Sequence, residues 1–187
     1  MERRIAVKGA SGSGKTTLAA RLAELLGVPH IELDALFHGP GWTEPPAEEF
    51  RRRVAEATSG DGWVVDGGYE GKLGVALPAG TELVVWLDLP LHVIVPRLIR
   101  RTRTRIRDGN ELWASGNRES WREALFGWDA LVPYAIRVHF RLRRELPGRC
   151  RELGVPLVRL RTMAETGRWL EAPRRRASPD AAPQRSR

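Results

Sequence analysis

Cysteine is nearly absent: Cys150 stands alone in a chain of 187 residues. No intramolecular disulfide can form from it, and so little cysteine points to the cytoplasm. His and Cys nowhere take metal-ligand spacing, so a metal centre built by the protein itself is not expected. Long apolar stretches are missing too, and no run approaches the roughly 20 residues of a membrane-spanning helix. Met1-Glu2-Arg3-Arg4 leads straight into a short strand and reads as no signal-peptide core, so no membrane partner is expected. Lysine is scarce, 3 against 28 arginines, so arginines will cluster even where they do nothing.

What is present is an ordinary globular mixture, 42% hydrophobic and 29% charged, in a length that fits one domain. The net charge is +8. Residues 172–187 hold Arg174, Arg175, Arg176, Arg185 and Arg187 against Asp180 alone, which is half of that excess. This Pro/Ala/Ser/Arg-rich stretch reads as a disordered basic tail beyond a single domain at 1–171. A second basic cluster, Arg97, Arg100, Arg101, Arg103, Arg105 and Arg107, lies inside the domain. Clusters of this kind suit nucleic acid or any polyphosphate.

Strand-like runs alternate with helical ones. Ile5-Ala6-Val7, His30-Ile31-Glu32-Leu33, Trp63-Val64-Val65, Leu83-Val84-Val85-Trp86-Leu87 and Pro156-Leu157-Val158-Arg159-Leu160 read as five strands. Continuous apolar runs are what strands covered on both faces show. Helices are expected at 17–26, 47–57, 91–101, 118–145 (broken near Gly127 and Pro133) and 163–170. Residues 102–117 lack an apolar period and read as a mobile insert. The fold class is therefore α/β: a doubly wound five-stranded parallel sheet with its site beyond the strands' carboxyl ends.

The most specific motif is Gly9-Ala10-Ser11-Gly12-Ser13-Gly14-Lys15-Thr16, which matches G-x-x-x-x-G-K-[ST] between a strand and a helix. Glycines let successive backbone N–H groups curl around a phosphate without side-chain clashes. The helix starting near Lys15 adds its positive dipole end. Lys15 is expected on the β- and γ-phosphates of ATP, and the Thr16 hydroxyl in the shell of a nucleotide-borne Mg2+. Thr17 completes the loop's contacts.

Asp34, Asp66 and Asp88 each stand just beyond a strand, where a carboxylate can orient a metal-bound water or take a proton from an acceptor hydroxyl. Asp66 is read on the Mg2+ side, the glycines after it suggesting close backbone approach to a ligand. Asp88, before Leu89-Pro90, fits a helix cap as well as a functional role.

The P-loop, Val65-Asp66-Gly67 and Leu87-Asp88-Leu89-Pro90 followed by Arg97 and Arg101 resemble the nucleoside monophosphate kinases, adenylate kinase above all. Ile31 to Trp42, Trp63 to Gly67 and Gly116-Asn117-Arg118-Glu119-Ser120 resemble the bacterial adenylate kinase-like proteins labelled DNA topology modulation proteins (FlaR-like). That similarity runs from about residue 3 to 171. It implies that Arg97 and Arg101 reach the transferred phosphoryl group and that 102–117 is a lid offering Arg103, Arg105 and Arg118. It implies too that 34–57 binds the acceptor.

Two departures matter: Gly68 stands where the close family has Asn, and Tyr69 where adenylate kinases carry an acceptor-gripping arginine. Asp34 resembles the aspartate that meets the acceptor hydroxyl in shikimate- and gluconate-type kinases, and its charge repels a phosphate acceptor. The expected function is an ATP-dependent kinase acting on a nucleoside monophosphate or a small hydroxyl compound. Lys15, Asp34, Arg97, Arg101 and Arg105 are its candidate catalytic residues, with Thr16 and Asp66 as candidate Mg2+ ligands. Trp42, Trp113, Trp121 and Trp128 suit base stacking or packing under the lid, and His38 an acceptor contact or a structural role. The competing expectation is a DNA-interacting regulator that uses the nucleotide as a switch, although no helix-turn-helix or zinc motif accompanies the arginines.

Overall fold

Apolar residues fill both faces of every central strand, so each strand must be covered twice. The computed structural model meets that demand with one five-stranded sheet in the order β2-β3-β1-β4-β5, every neighbouring pair parallel. The structure describes residues 2–74, 77–109, 111–113, 116–118, 121 and 130–177. The strands are β1 (Arg4–Gly9), β2 (His30–Glu32), β3 (Trp63–Asp66), β4 (Leu83–Leu87) and β5 (Leu157–Leu160). The helices are α1 (Lys15–Leu26), α2 (Leu33–Phe37), α3 (Ala47–Ala57), α4 (Glu70–Leu73), α5 (Leu91–Asp108), α6 (Leu131–Glu152) and α7 (Met163–Ala177).

The strand alternation sorts the core into three clusters. Ile5, Val7, Val64, Val85 and Leu87 face α1, whose Leu18, Ala19, Leu22 and Ala23 lie against them, with Trp169 and Leu170 of α7 at the rim. Ala6, Val84 and Trp86 face the other way, onto Ile94 of α5 and Val138, Leu142, Leu146 and Cys150 of α6. Beyond the β2 edge, Ile31, Trp63 and Val65 bury Phe37 of α2 and Phe50 and Val54 of α3. Each large side chain so buried contributes about 1.5–3 kcal/mol. Because β1 is the middle strand, the loop leaving it sits over the centre of the sheet.

Several boundaries differ from the sequence reading. α5 does not stop at Arg101: Ile94, Leu98 and Thr102 are buried at four-residue spacing, and the helix runs to a left-handed Gly109 (φ 60°) that caps it. The stretch 102–108, expected as the start of a mobile insert, is therefore helix. α6 starts at Leu131 and runs to Glu152, with Pro133 in its first turn and Pro147 carried inside it. The expected break near Gly127, and Trp128 with it, lie outside the described residues. α7 continues to Ala177, six residues past the expected domain end, and carries Pro173 within it. Residues 178–187 of the expected tail lie outside the described residues. Among the described residues no helix is long and apolar enough to cross a membrane.

Candidate functional site

The loop from Gly9 to Thr17 joins the carboxyl end of β1 to the start of α1. Gly14 is the N-cap, held at φ 90° with no atom within 4 Å of a Cβ built there, so conformation alone selects glycine. Gly12 is also left-handed (φ 87°), and a Cβ on it would lie 2.8 Å from the Ile94 carbonyl oxygen and 3.0 Å from Leu98 Cβ. Helix α5 thus packs directly on the loop. α1 begins with no side-chain cap and no acidic residue in its first turn. Its first N–H groups and dipole are therefore left for an anion. Ser13 is buried, and its Oγ has no partner among the described residues. Lys15 and Thr16 are half-buried at the helix start, and Thr17 is exposed.

Asp66 ends β3 beside Val7 of β1 and is 2% exposed. Its Oδ1 lies 3.6 Å from His30 Nε2, and its Oδ2 is buried with no partner among the described residues. The carboxylate holds the His30 imidazole above its ordinary value, against the opposing effect of burial. An orphaned buried carboxylate oxygen on the α1 side of the sheet fits a cation carried with a loop-bound phosphate. The glycine after it is required by the chain's own packing. Gly67 sits at φ 129°, and a Cβ there would lie 2.8 Å from Leu33 Cβ. Its carbonyl accepts a 3.0 Å hydrogen bond from Lys8 Nζ, a lysine 3% exposed on β1. Lys8 was legible only as a charge inside an apolar strand.

Asp88 is not the helix cap that was one of the two expectations for it, and its carboxylate is taken up by two arginines. It is 2% exposed and accepts from Arg143 Nε at 2.7 Å and Arg159 Nε at 2.9 Å. Pro90, not Asp88, is the N-cap of α5. Arg159 also stacks over Trp86, 4.5 Å from the ring centroid.

Arg97, Arg101 and Arg105 stand one turn apart along α5, on the helix that touches Gly12. Arg101 and Arg105 are half-buried, whereas Arg100 and Arg103 are exposed. Arg97 Nη1 is turned to Met163 Sδ at 3.3 Å, and Arg107 pairs with Asp108 at 2.7 Å. Arg118 is exposed and 3.6 Å from Glu111.

On the β2 side, Asp34 lies half-buried in α2, and its charge acts on both His38 and Tyr69. Burial, and after it the charge of Asp34, pushes the Tyr69 hydroxyl far up, so it stays protonated. Burial lowers His38, keeping it neutral, with Nε2 3.0 Å from Tyr69 Oη. Leu112 and Asn117 pair in an isolated antiparallel bridge, and Trp113 and Asn117 contact this region. Asn117 Nδ2 donates to the Gly39 carbonyl at 2.9 Å, and its Oδ1 accepts from the Trp42 N–H at 3.0 Å. Trp113 Nε1 donates to Glu32 Oε2 at 3.0 Å. Glu32, His30 and Lys8 were not singled out by sequence pattern. Lys8 alone carried a signal, a charge at a buried position of an apolar strand, whereas His30 and Glu32 sit on the half-buried face of β2.

No protein-family model matches the chain. It is 31% identical over 137 residues to the uncharacterized protein YqaC of Bacillus subtilis, covering 72% of this chain and 75% of that one. It is 30% identical over 112 residues to a cytidylate kinase of Pyrococcus horikoshii, covering 52% of this chain and 56% of that enzyme. The chain thus matches only a little over half the length of the cytidylate kinase. Among solved structures it is similar to a shikimate kinase from Acinetobacter baumannii in complex with shikimate. That likeness has a TM-score of 0.54 at 19% identity, over 94% of this chain and 95% of the other. It is similar also to a deoxyadenosine kinase from M. mycoides with bound dATP, with a TM-score of 0.52 at 12% identity, over 92% and 98% of the two chains. The fold is that of the P-loop kinases.

Proposed function

The chain belongs to the family of the Bacillus subtilis protein YqaC, and from that premise we propose that it is an ATP- and Mg2+-dependent small-molecule kinase. Within the P-loop kinases we place it in the adenylate kinase-like, FlaR-like group, acting in the cytoplasm. The observation that carries the reading is the bare start of α1. A glycine-held loop, an uncapped helix N-terminus and the unpartnered Asp66 Oδ2 stand together at the carboxyl end of the central strands.

In this reading the backbone of residues 9–17 and the Lys15 ammonium hold the triphosphate. Mg2+ arriving with the nucleotide would be held by Thr16 and Asp66 and would supply neutralisation of phosphate charge. Arg97, Arg101 and Arg105 spread positive charge over the phosphoryl group in transit, which is most of what phosphoryl transfer asks of a protein. Reaching that position requires Arg97 to leave Met163. The acceptor hydroxyl oxygen attacks the γ-phosphorus, the bond to the β–γ bridging oxygen breaks, ADP leaves and Asp34 takes the hydroxyl proton. A small hydroxyl compound fits better than a nucleoside monophosphate, since Asp34 repels phosphate and Tyr69 stands where an arginine would grip one.

The test is Mg2+-dependent ADP release against a panel of nucleoside monophosphates and small hydroxyl compounds. Strong stimulation by one hydroxyl compound is expected, and Lys15→Ala should lower turnover about 10²–10³-fold with an unchanged unfolding midpoint. Efficient turnover of AMP or CMP alone would overturn the acceptor class. ATP binding with only slow hydrolysis, indifferent to every acceptor, would mark a nucleotide switch instead. Salt-sensitive DNA binding by residues 1–171 would then favour a DNA-directed role.

A further inference from the structure

Two tryptophans far apart in sequence share an unusual backbone. Trp42 sits at φ 59° and Trp113 at φ 54°, and among the described residues they are the non-glycine positions in the left-handed region. Bulky residues occupy that region at a cost of order 1–3 kcal/mol and persist only where the surroundings impose it, which concentrates them at ligand sites. The two meet. His38 stacks on Trp113 at 5.2 Å with 21° between the rings. Trp42 stands edge-on to both, 5.4 Å from His38 and 6.0 Å from Trp113.

The surroundings impose the strain through Asn117, which is 2% exposed and spends both ends of its amide on the 39–42 turn. Glu32 fixes the far edge of Trp113. Yet none of the three rings is fully buried, as core aromatics in this chain such as Trp63 and Trp86 are. A strained, hydrogen-bonded set of rings that keeps part of its surface open is arranged for something other than filling the core.

We propose that Trp113 is part of the acceptor site, where the open surface of the Trp113, Trp42 and His38 cluster covers the apolar face of a neutral hydroxylated ring, a sugar or cyclitol. Glu32 and Asp34 flank that wall with carboxylate oxygens, which accept hydroxyl hydrogen bonds and repel phosphate. Aromatic faces cover the C–H face of such a ring, while the carboxylates read its hydroxyls. Trp113 is then a specificity residue for the acceptor. This assignment rests on the kinase reading above.

The experiment measures KM for acceptor and for ATP in wild type, Trp113→Ala, Trp113→Phe and Asn117→Ala. The probes are myo-inositol, methyl α-glucoside, cytidine and CMP. Trp113→Ala is expected to raise KM for the neutral ring compound at least tenfold while ATP KM moves less than twofold. Trp113→Phe should recover to within about threefold of wild type, since a phenyl ring still stacks. An unchanged acceptor KM in Trp113→Ala, an equal rise in both KM values, or preference for CMP would overturn the assignment. Failure of the kinase reading looks different: no probe stimulates ADP release by wild type. Calorimetric binding of the same probes to the wild-type protein then decides the subsite alone. A neutral ring that binds wild type and is lost in Trp113→Ala keeps it, and no neutral ring binding discards it.

Discussion

Asp88 shows what a single buried charge demands. A carboxylate taken out of water costs several kcal/mol unless it is paired and hydrogen-bonded. Here two arginines, one from α6 and one from β5, supply both needs and tie the carboxyl end of β4 to its neighbours. Arg143 and Arg159 keep 41% and 35% of their side chains exposed, so each can return to water if the partner goes. The loss is accordingly smaller than for a fully buried pair. Asp88→Asn is expected to lower stability by about 1–3 kcal/mol in urea unfolding. In a double-mutant cycle with Arg159→Met the two changes should be non-additive by at least ~0.5 kcal/mol. Additive losses would mean that the ion pair is incidental. The motif around Asp88 could not disclose this role, because its partners lie 55 and 71 residues away in sequence.

At the scale of elements, what was legible is what local pattern dictates. β4 and α3 fall on their expected bounds, since an unbroken apolar run and a Pro-introduced amphipathic helix each announce themselves. The turn from β1 into α1 was legible at its glycines, because the left-handed backbone at Gly12 and Gly14 selects that residue. The end of α5 was missed. Its stripe Ile94, Leu98, Thr102 and Ile106 continues through arginines that composition reads as a loop. The contact of Trp113 and Asn117 with the 38–42 turn was out of reach, since nothing local says where an irregular segment docks. α1 offers a clean separation of packing from chemistry. Leu22 is 2% exposed on the face turned to β1 and β3, away from the helix start that carries Lys15. Leu22→Ala should cost about 2–5 kcal/mol in urea unfolding, with kcat/KM for ATP unchanged at a temperature where the variant is still folded. A kcat/KM that falls in step with stability would show that the loop depends on the whole length of α1.

For the whole molecule, placing the loop on the central strand links ligand binding to global stability. The loop touches α5 through Gly12, continues into α1 and leaves β1, so three layers of the domain converge on it. A ligand held there by the folded chain, and by no unfolded one, adds RT ln(1 + [L]/Kd), about 2.7 kcal/mol at one hundred times Kd. For a chain of this size each kcal/mol shifts the unfolding midpoint by roughly 2–4 °C. ATP with Mg2+ at that excess should therefore raise the midpoint by about 5–11 °C in a calorimetric scan. Lys15→Ala at the same ATP concentration should keep its own midpoint and lose most of the shift, because under the proposed function the ammonium that holds the phosphates is gone while the apolar clusters are untouched. A full shift in Lys15→Ala would place the nucleotide somewhere other than the loop. A lowered midpoint without ligand would mean that Lys15 supports the fold itself, and its loss of turnover could then no longer be assigned to chemistry.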